Sequence, residues 1–220
     1  MQDAWIPLML SLKVAGWATA LNLVFGVAAG FGLSRWRSGT RDVVDSLLTL
    51  PLVVPPTVLG YYLLVLLERR GVIGAWLDRI DIQLVFTWQG AVIASTVVAF
   101  PLVLKSARAA FEAVDPQLER AARTLGVSET AVFFRVSLSL AARGILAGGL
   151  LAFARALGEF GATLMIAGNL PGRTQTLSVA VYSAVDSTAN FLVIVTSVTC
   201  VVILLLAGRL VPQRTLLVSR

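Results

Sequence analysis

From Val14 to Leu33 the chain runs for twenty residues without a charged side chain. At 1.5 Å of rise per residue, that is the length an α-helix needs to cross the roughly 30 Å hydrocarbon core of a bilayer. A surface helix in water would interrupt such a run with a polar face. Comparable runs recur at about Leu47–Leu67, Phe86–Leu104, Gly144–Ala167 and Phe191–Ala207. In hydrocarbon every backbone group must find its partner inside the segment, so the runs predict helices. The expected fold class is all-α and integral to the membrane, with five transmembrane helices in one domain over residues 1–220. A hydrophobic content of 57%, a charged content of 14% and a mean hydropathy of +0.85 leave no stretch for a separate soluble domain. Met1-Gln2-Asp3 supplies no basic lead-in to the first run, which is therefore expected to stay as an anchor. Its glycines and alanines, Gly16, Ala18, Gly26, Ala28, Ala29, Gly30 and Gly32, suit close helix contact.

A net charge of +6 on a soluble protein would raise nucleic acid as a partner. Beside membrane-length runs it reads as basic loops facing anionic lipid, and no nucleic acid is expected. Arg35, Arg37 and Arg41, then Lys105, Arg108, Arg120, Arg123, Arg135 and Arg143, then Arg209, Arg214 and Arg220 place 12 basic residues on one side. Lys13, Arg69, Arg70, Arg79 and Arg173 place 5 on the other. The positive-inside rule then sets the N-terminus outside and the C-terminus in the cytoplasm. Trp76 and Trp88 read as interfacial anchors, Asn169–Gly172 as a turn, and Thr174–Val185 as too short to cross. Histidine is absent and Cys200 is the only cysteine, which rules out an intrachain disulfide and a Cys/His zinc site. The string Leu50-Pro51-Leu52-Val53-Val54-Pro55-Pro56 must interrupt the second run. Broken backbone at membrane depth faces protein or a water-filled cavity, so Pro55 and Pro56 are candidates for a pathway or gate, or for a kink packed against neighbours.

Residues 112–143 are the one long polar stretch. Asp115 can cap a helix with Pro116 at its first position, and Leu118, Ala121, Ala122 and Leu125 then form an apolar stripe that Gly126 ends. Glu119, Arg120 and Arg123 are expected on the opposite face. Ser128 can cap a second helix whose apolar side is Val132, Phe133, Val136 and Leu140. Two amphipathic helices outside the bilayer are built to dock something. A pair of alanines, a glycine turn and a capped second helix also describe a DNA-binding helix-turn-helix, but spans on both sides leave no room for the third helix such a unit needs.

Arg120-Ala121-Ala122, Gly126 and Val136-Ser137-Leu138-Ser139 resemble the cytoplasmic EAA loop of ABC-transporter permeases, a Glu-Ala-Ala, three residues, Gly, nine residues, Ile-x-Leu-Pro pattern. Arg120 stands where the pattern has Glu, with Glu119 adjacent, and Ser139 replaces the final Pro. The proline string, Phe86-Thr87-Trp88-Gln89-Gly90, Phe153-Ala154-Arg155-Ala156-Leu157-Gly158-Glu159-Phe160-Gly161-Ala162 and Gly168-Asn169-Leu170-Pro171-Gly172 are similar to the molybdate permeases of that family. Sulfate permeases share the Ala-Arg-Ala and Gly-Glu part, and tungstate is a further possible cargo. The resemblance implies a type I ABC importer permease in the inner membrane of a prokaryote. It implies a permease homodimer, two ABC ATPase subunits that use ATP and Mg, and an extracytoplasmic molybdate-binding protein. Its coupling loop would enter a groove of the ATPase through Glu119, Arg120, Ala121, Ala122, Arg123, Gly126, Val136 and Leu138.

Arg155 and Glu159 stand four apart in the fourth run, where ionisable groups are costly and are expected to pair. They fit either an electrostatic aid to an oxyanion in the pathway or a structural brace between helices or subunits. No phosphate-binding loop is present, since neither Lys13 nor Lys105 follows the glycines it requires, so no catalytic residue and no bound cofactor are expected in this chain. A stand-alone secondary transporter or channel would share the broken helix and the buried pair but would have no use for the docking loop.

Overall fold

The computed structural model describes residues 2–184 and 188–210, and every regular element among them is helical. The first, α1 (Gln2–Arg35), begins well before the expected span because nothing ahead of Val14 stops it. Pro7 lies inside its second turn and removes only one hydrogen bond. After a short polar turn come α2 (Thr40–Thr49), a single 3-10 turn at Leu50–Leu52, and α3 (Pro56–Leu67).

The second expected span is therefore not one helix, and its two halves meet at 104°. Pro56 forces the residue before it out of the helical region, and Pro55 accordingly sits at φ −53°, ψ 134°. Neither proline has an N–H, so the break leaves no donor unpaired at those positions.

The connector holds α4 (Gly74–Asp78), tied back by Arg69 Nε to Asp78 Oδ1 at 3.4 Å. Next, α5 (Trp88–Glu112) starts at Thr87, whose hydroxyl accepts from Gly90 N at 3.2 Å, and carries Lys105 and Arg108 on its last turns. Then α6 (Pro116–Thr124) is followed by α7 (Glu129–Val132), a π turn at Phe133–Ser137 and α8 (Leu138–Leu157). These last three run on as one helix, Glu129–Leu157. The second helix of the polar segment is thus the start of the fourth span, since no proline or cap separates them.

That span stops earlier than Ala167. Gly158 ends it, and α9 (Gly161–Ala167) restarts after Phe160 because the Glu159 carboxylate accepts from Ala162 N at 2.8 Å. Finally, α10 (Leu177–Ser183) is short and α11 (Thr188–Leu210) contains the fifth expected run. Arg214 and Arg220 of the basic tail lie outside the described residues.

The segments Trp5–Arg35, Trp88–Glu112 and Glu129–Leu157 are long and apolar enough to cross a membrane, and α2 with α3 makes a fourth if the bent pair is one passage. Small residues set how these helices meet. In α1, Gly30 lies so close to α5 that an added Cβ would sit 2.9 Å from both the Ala107 Cβ and the Arg108 N. Gly26 meets Val103 four residues earlier, and Lys13 lies over the Trp88 ring, 3.6 Å from its centroid. One register thus persists over most of two helices, which run parallel. Against them α8 runs the other way, with Gly144 on Ala110 and Gly148 on Ser106. Hydrocarbon offers no hydrophobic drive for such pairing, so close backbone approach is what holds it. On the far side of α5, Gly60 of α3 lies against Ala162 of α9, and Phe86 N donates to Ile166 O at 2.9 Å.

Candidate functional site

Asp115 starts α6 by accepting from Gln117 N at 2.8 Å, and Gly126 ends it at φ +79°, a left-handed value suited to glycine. Between these caps the helix is turned opposite to a membrane-packed one. Leu118 is 50% exposed and Leu125 83% exposed, with Ala121 also on the surface. Glu119, expected on the outward face, is instead buried at 1%. Its carboxylate accepts from Arg35 Nη2 at the end of α1 and from the Ser137 hydroxyl at 2.6 Å, with Arg123 Nη2 3.8 Å away. Burial alone would raise the Glu119 pKa, but the hydrogen bonds from Arg35 and Ser137 outweigh it and hold the carboxyl below its usual range.

The acidic side of α6 is thus its inner side and the apolar stripe its outer one. The stripe is rimmed by Arg120 and by an Arg123–Glu129 pair at 2.6 Å. Ser128 holds the N-cap position of α7 but makes no side-chain cap bond. Val136 and Leu138 are half-buried, Leu138 against a cluster of Ala107, Phe111 and Ile145.

The second feature lies within the bundle. Arg155 Nη1 donates to Glu159 Oε2 at 2.6 Å, while Glu159 Oε1 takes the Ala162 amide. The pair therefore bridges the gap between α8 and α9 within one segment. Gly161 abuts the Pro56 Cβ and Thr57 N, each 3.1 Å from where its own Cβ would be, so the breaks after Leu52 and after Leu157 meet at one level. Pro55 and Pro56 are exposed in the single chain. Among the described residues no cluster of His, Cys, Asp and Glu could hold a metal.

Residues 22–215 match the family described as binding-protein-dependent transport system inner membrane component. The molybdenum transport system permease protein ModB of Escherichia coli (strain K12) is 46% identical over 184 residues, 83% of this chain and 80% of that one. ModB of Haemophilus influenzae is 43% identical over 188 residues, 85% and 81% of the two chains. The sulfate transport system permease protein CysW of a Synechocystis strain is 36% identical over 211 residues, 94% and 76% of the two. The chain belongs to the binding-protein-dependent inner membrane permeases. In fold it is similar to a chain of the inward-facing MetNI methionine ABC transporter, with TM-score 0.69 at 16% identity and 94% and 92% of the two chains covered. A second likeness is to a bacterial ABC transporter that imports alginate, TM-score 0.72 at 15% identity over 95% and 79%.

In this permease the residues that anchor α6 are ones the sequence did not offer. Arg35 reads as a flanking charge and Ser137 as part of a loop motif, yet both converge on Glu119 across 84 and 18 positions. Asp45, placed between Lys105 and Arg108, fixes α2 to the same end of the bundle, with Arg108 Nη1 to Asp45 Oδ1 at 2.9 Å. The one sequence signal was negative: an acid beside a run of arginines in a strongly basic region needs a reason to be there.

Proposed function

We propose that this permease is the membrane-spanning subunit of an ATP-driven importer for a tetrahedral oxyanion, with molybdate as its cargo. The observation that carries the reading is the outward apolar stripe of α6 held in place by the inward Glu119. A stand-alone channel or secondary transporter has no use for such a plug. The identity to the molybdenum permeases over most of both chains favours molybdate, and the weaker identity to a sulfate permease makes sulfate the second reading.

The assembly is two copies of this chain, two ABC ATPases docked on α6, and an extracytoplasmic protein that delivers the ion. ATP and Mg belong to the ATPases, whose closure moves α6 and so alternates access across the membrane. Glu119 positions the docking helix, Leu118, Ala121, Ala122 and Leu125 enter the groove, Gly126 makes the turn, and Arg120 and Arg123 fix orientation. Five crossings, with the N-terminus outside and the C-terminus cytoplasmic, fit this scheme. The ion pairs Arg35–Glu119, Arg41–Glu112 and Asp45–Lys105 support it by gathering at one end the very loops that the basic-residue bias puts inside.

The test is uptake of labelled molybdate by vesicles holding the whole complex. ATP-dependent uptake competed by tungstate, and only weakly by sulfate, is expected. Uptake that needs no ATPase, or that prefers sulfate by tenfold, defeats the reading.

A further inference from the structure

Continuing the α5 register along α8 sets Arg155 opposite Ala99, close to midway between Trp88 and Glu112, and Ala99, Ala152 and Ala156 do share one buried cluster. Arg155 is therefore near the centre of the bilayer, where an unsatisfied guanidinium facing lipid is strongly disfavoured. Its side chain is nevertheless 33% exposed, and among the described residues only Glu159 partners it, through Nη1. Glu159 differs. At 1% side-chain exposure, its two oxygens are taken by Arg155 and by the Ala162 amide. A brace needs no more than that one bond, so the remaining donors of Arg155 are left over from it.

The adjoining level is also unsuited to lipid. Val53 is 82% exposed and Pro55 and Pro56 are exposed at the bend between α2 and α3, and non-helical backbone at this depth persists only against protein or water.

Resting on the oxyanion reading above, we propose that Arg155 is a cargo-contacting residue, its spare N–H donors turned to a water-filled passage in which they hydrogen-bond the oxygens of a tetrahedral oxyanion in transit. Glu159 makes this contact weak by design: the pair is neutral overall, so it offers directed donors without a deep electrostatic well. A conducting site must release what it binds, and a lone arginine facing a dianion would hold it.

The experiment uses the complete complex in proteoliposomes and reads uptake and ATP hydrolysis together. Arg155→Gln is expected to lower molybdate uptake at least tenfold while hydrolysis stimulated by the binding protein stays within about twofold, and Arg155→Lys to recover part of the uptake. Loss of both activities in parallel, or full uptake by Arg155→Gln, overturns the proposal. Where Arg155→Gln fails to assemble, Val53→Cys with Cys200→Ala decides, since it leaves the pair intact. Its reaction with a water-borne anionic thiol reagent supports a wet passage at that level, and no reaction overturns it. Failure of the cargo reading is seen separately, as absence of molybdate uptake by the unsubstituted complex.

Discussion

Glu119 sits between Leu118 and Arg120, both on the surface, and is itself almost wholly enclosed. A buried carboxylate is tolerated only when paired and hydrogen-bonded, and here Arg35, Ser137 and Arg123 supply both. Because its pKa is lowered on folding, the stabilisation is complete above the ordinary glutamate value of about 4.3 and is lost as pH falls through the lowered native value. Hydrogen exchange of the Gln117–Gly126 amides, corrected for intrinsic rates, is therefore expected to stay flat from about pH 8 to pH 5. Glu119→Gln removes a charge-assisted partner worth about 1.5–3 kcal/mol and should speed that exchange throughout the range. If the variant exchanges like the native protein, Glu119 is not the anchor. The residue type at 119 is written in the sequence, but its direction is not. A helical wheel set it beside Arg120 and Arg123, whereas the chain turned it inward because Arg35 lies there.

At the scale of the element, α6 separates two properties that usually go together. Its caps and period are local and were legible, with Asp115 and Gly126 bounding it as expected. What its apolar face meets is not local, since among the described residues Leu118, Ala121 and Leu125 of that face stay exposed. Leu125→Asp should change the stability of the detergent-solubilised permease by no more than about 0.5 kcal/mol, as for other exposed sites, and so leave its melting temperature almost unchanged. It should reduce ATPase co-purification at least tenfold, and equal recovery of the ATPase would place the docking surface elsewhere. The breaks tell the same story. Prolines announced the bend at Pro55, whereas the stop at Gly158 looked like the middle of a long apolar run until the capping role of Glu159 was visible.

For the whole molecule, three helices in close backbone contact carry the assembly, and the cost of widening them is uneven. Gly30→Ala forces a Cβ against Ala107 and the Arg108 amide and is expected to cost about 1–3 kcal/mol. Gly16→Ala, in the same helix with nothing within 4 Å, should be neutral or slightly stabilising. Thermal denaturation of the two variants in one detergent checks the contrast, and equal melting temperatures would remove the packing argument. Sequence by itself determined that the chain is helical and lives in a bilayer, and that a small Ala-Ala and Gly elbow interrupts the spans. These follow from run length and local period, each readable within some twenty residues. Only the tertiary structure decided that α7 and α8 are one helix, that two breaks meet beside Arg155, and that Glu119 points inward. Those outcomes depend on partners tens of residues away, and no local periodicity encodes which distant surface a side chain will find.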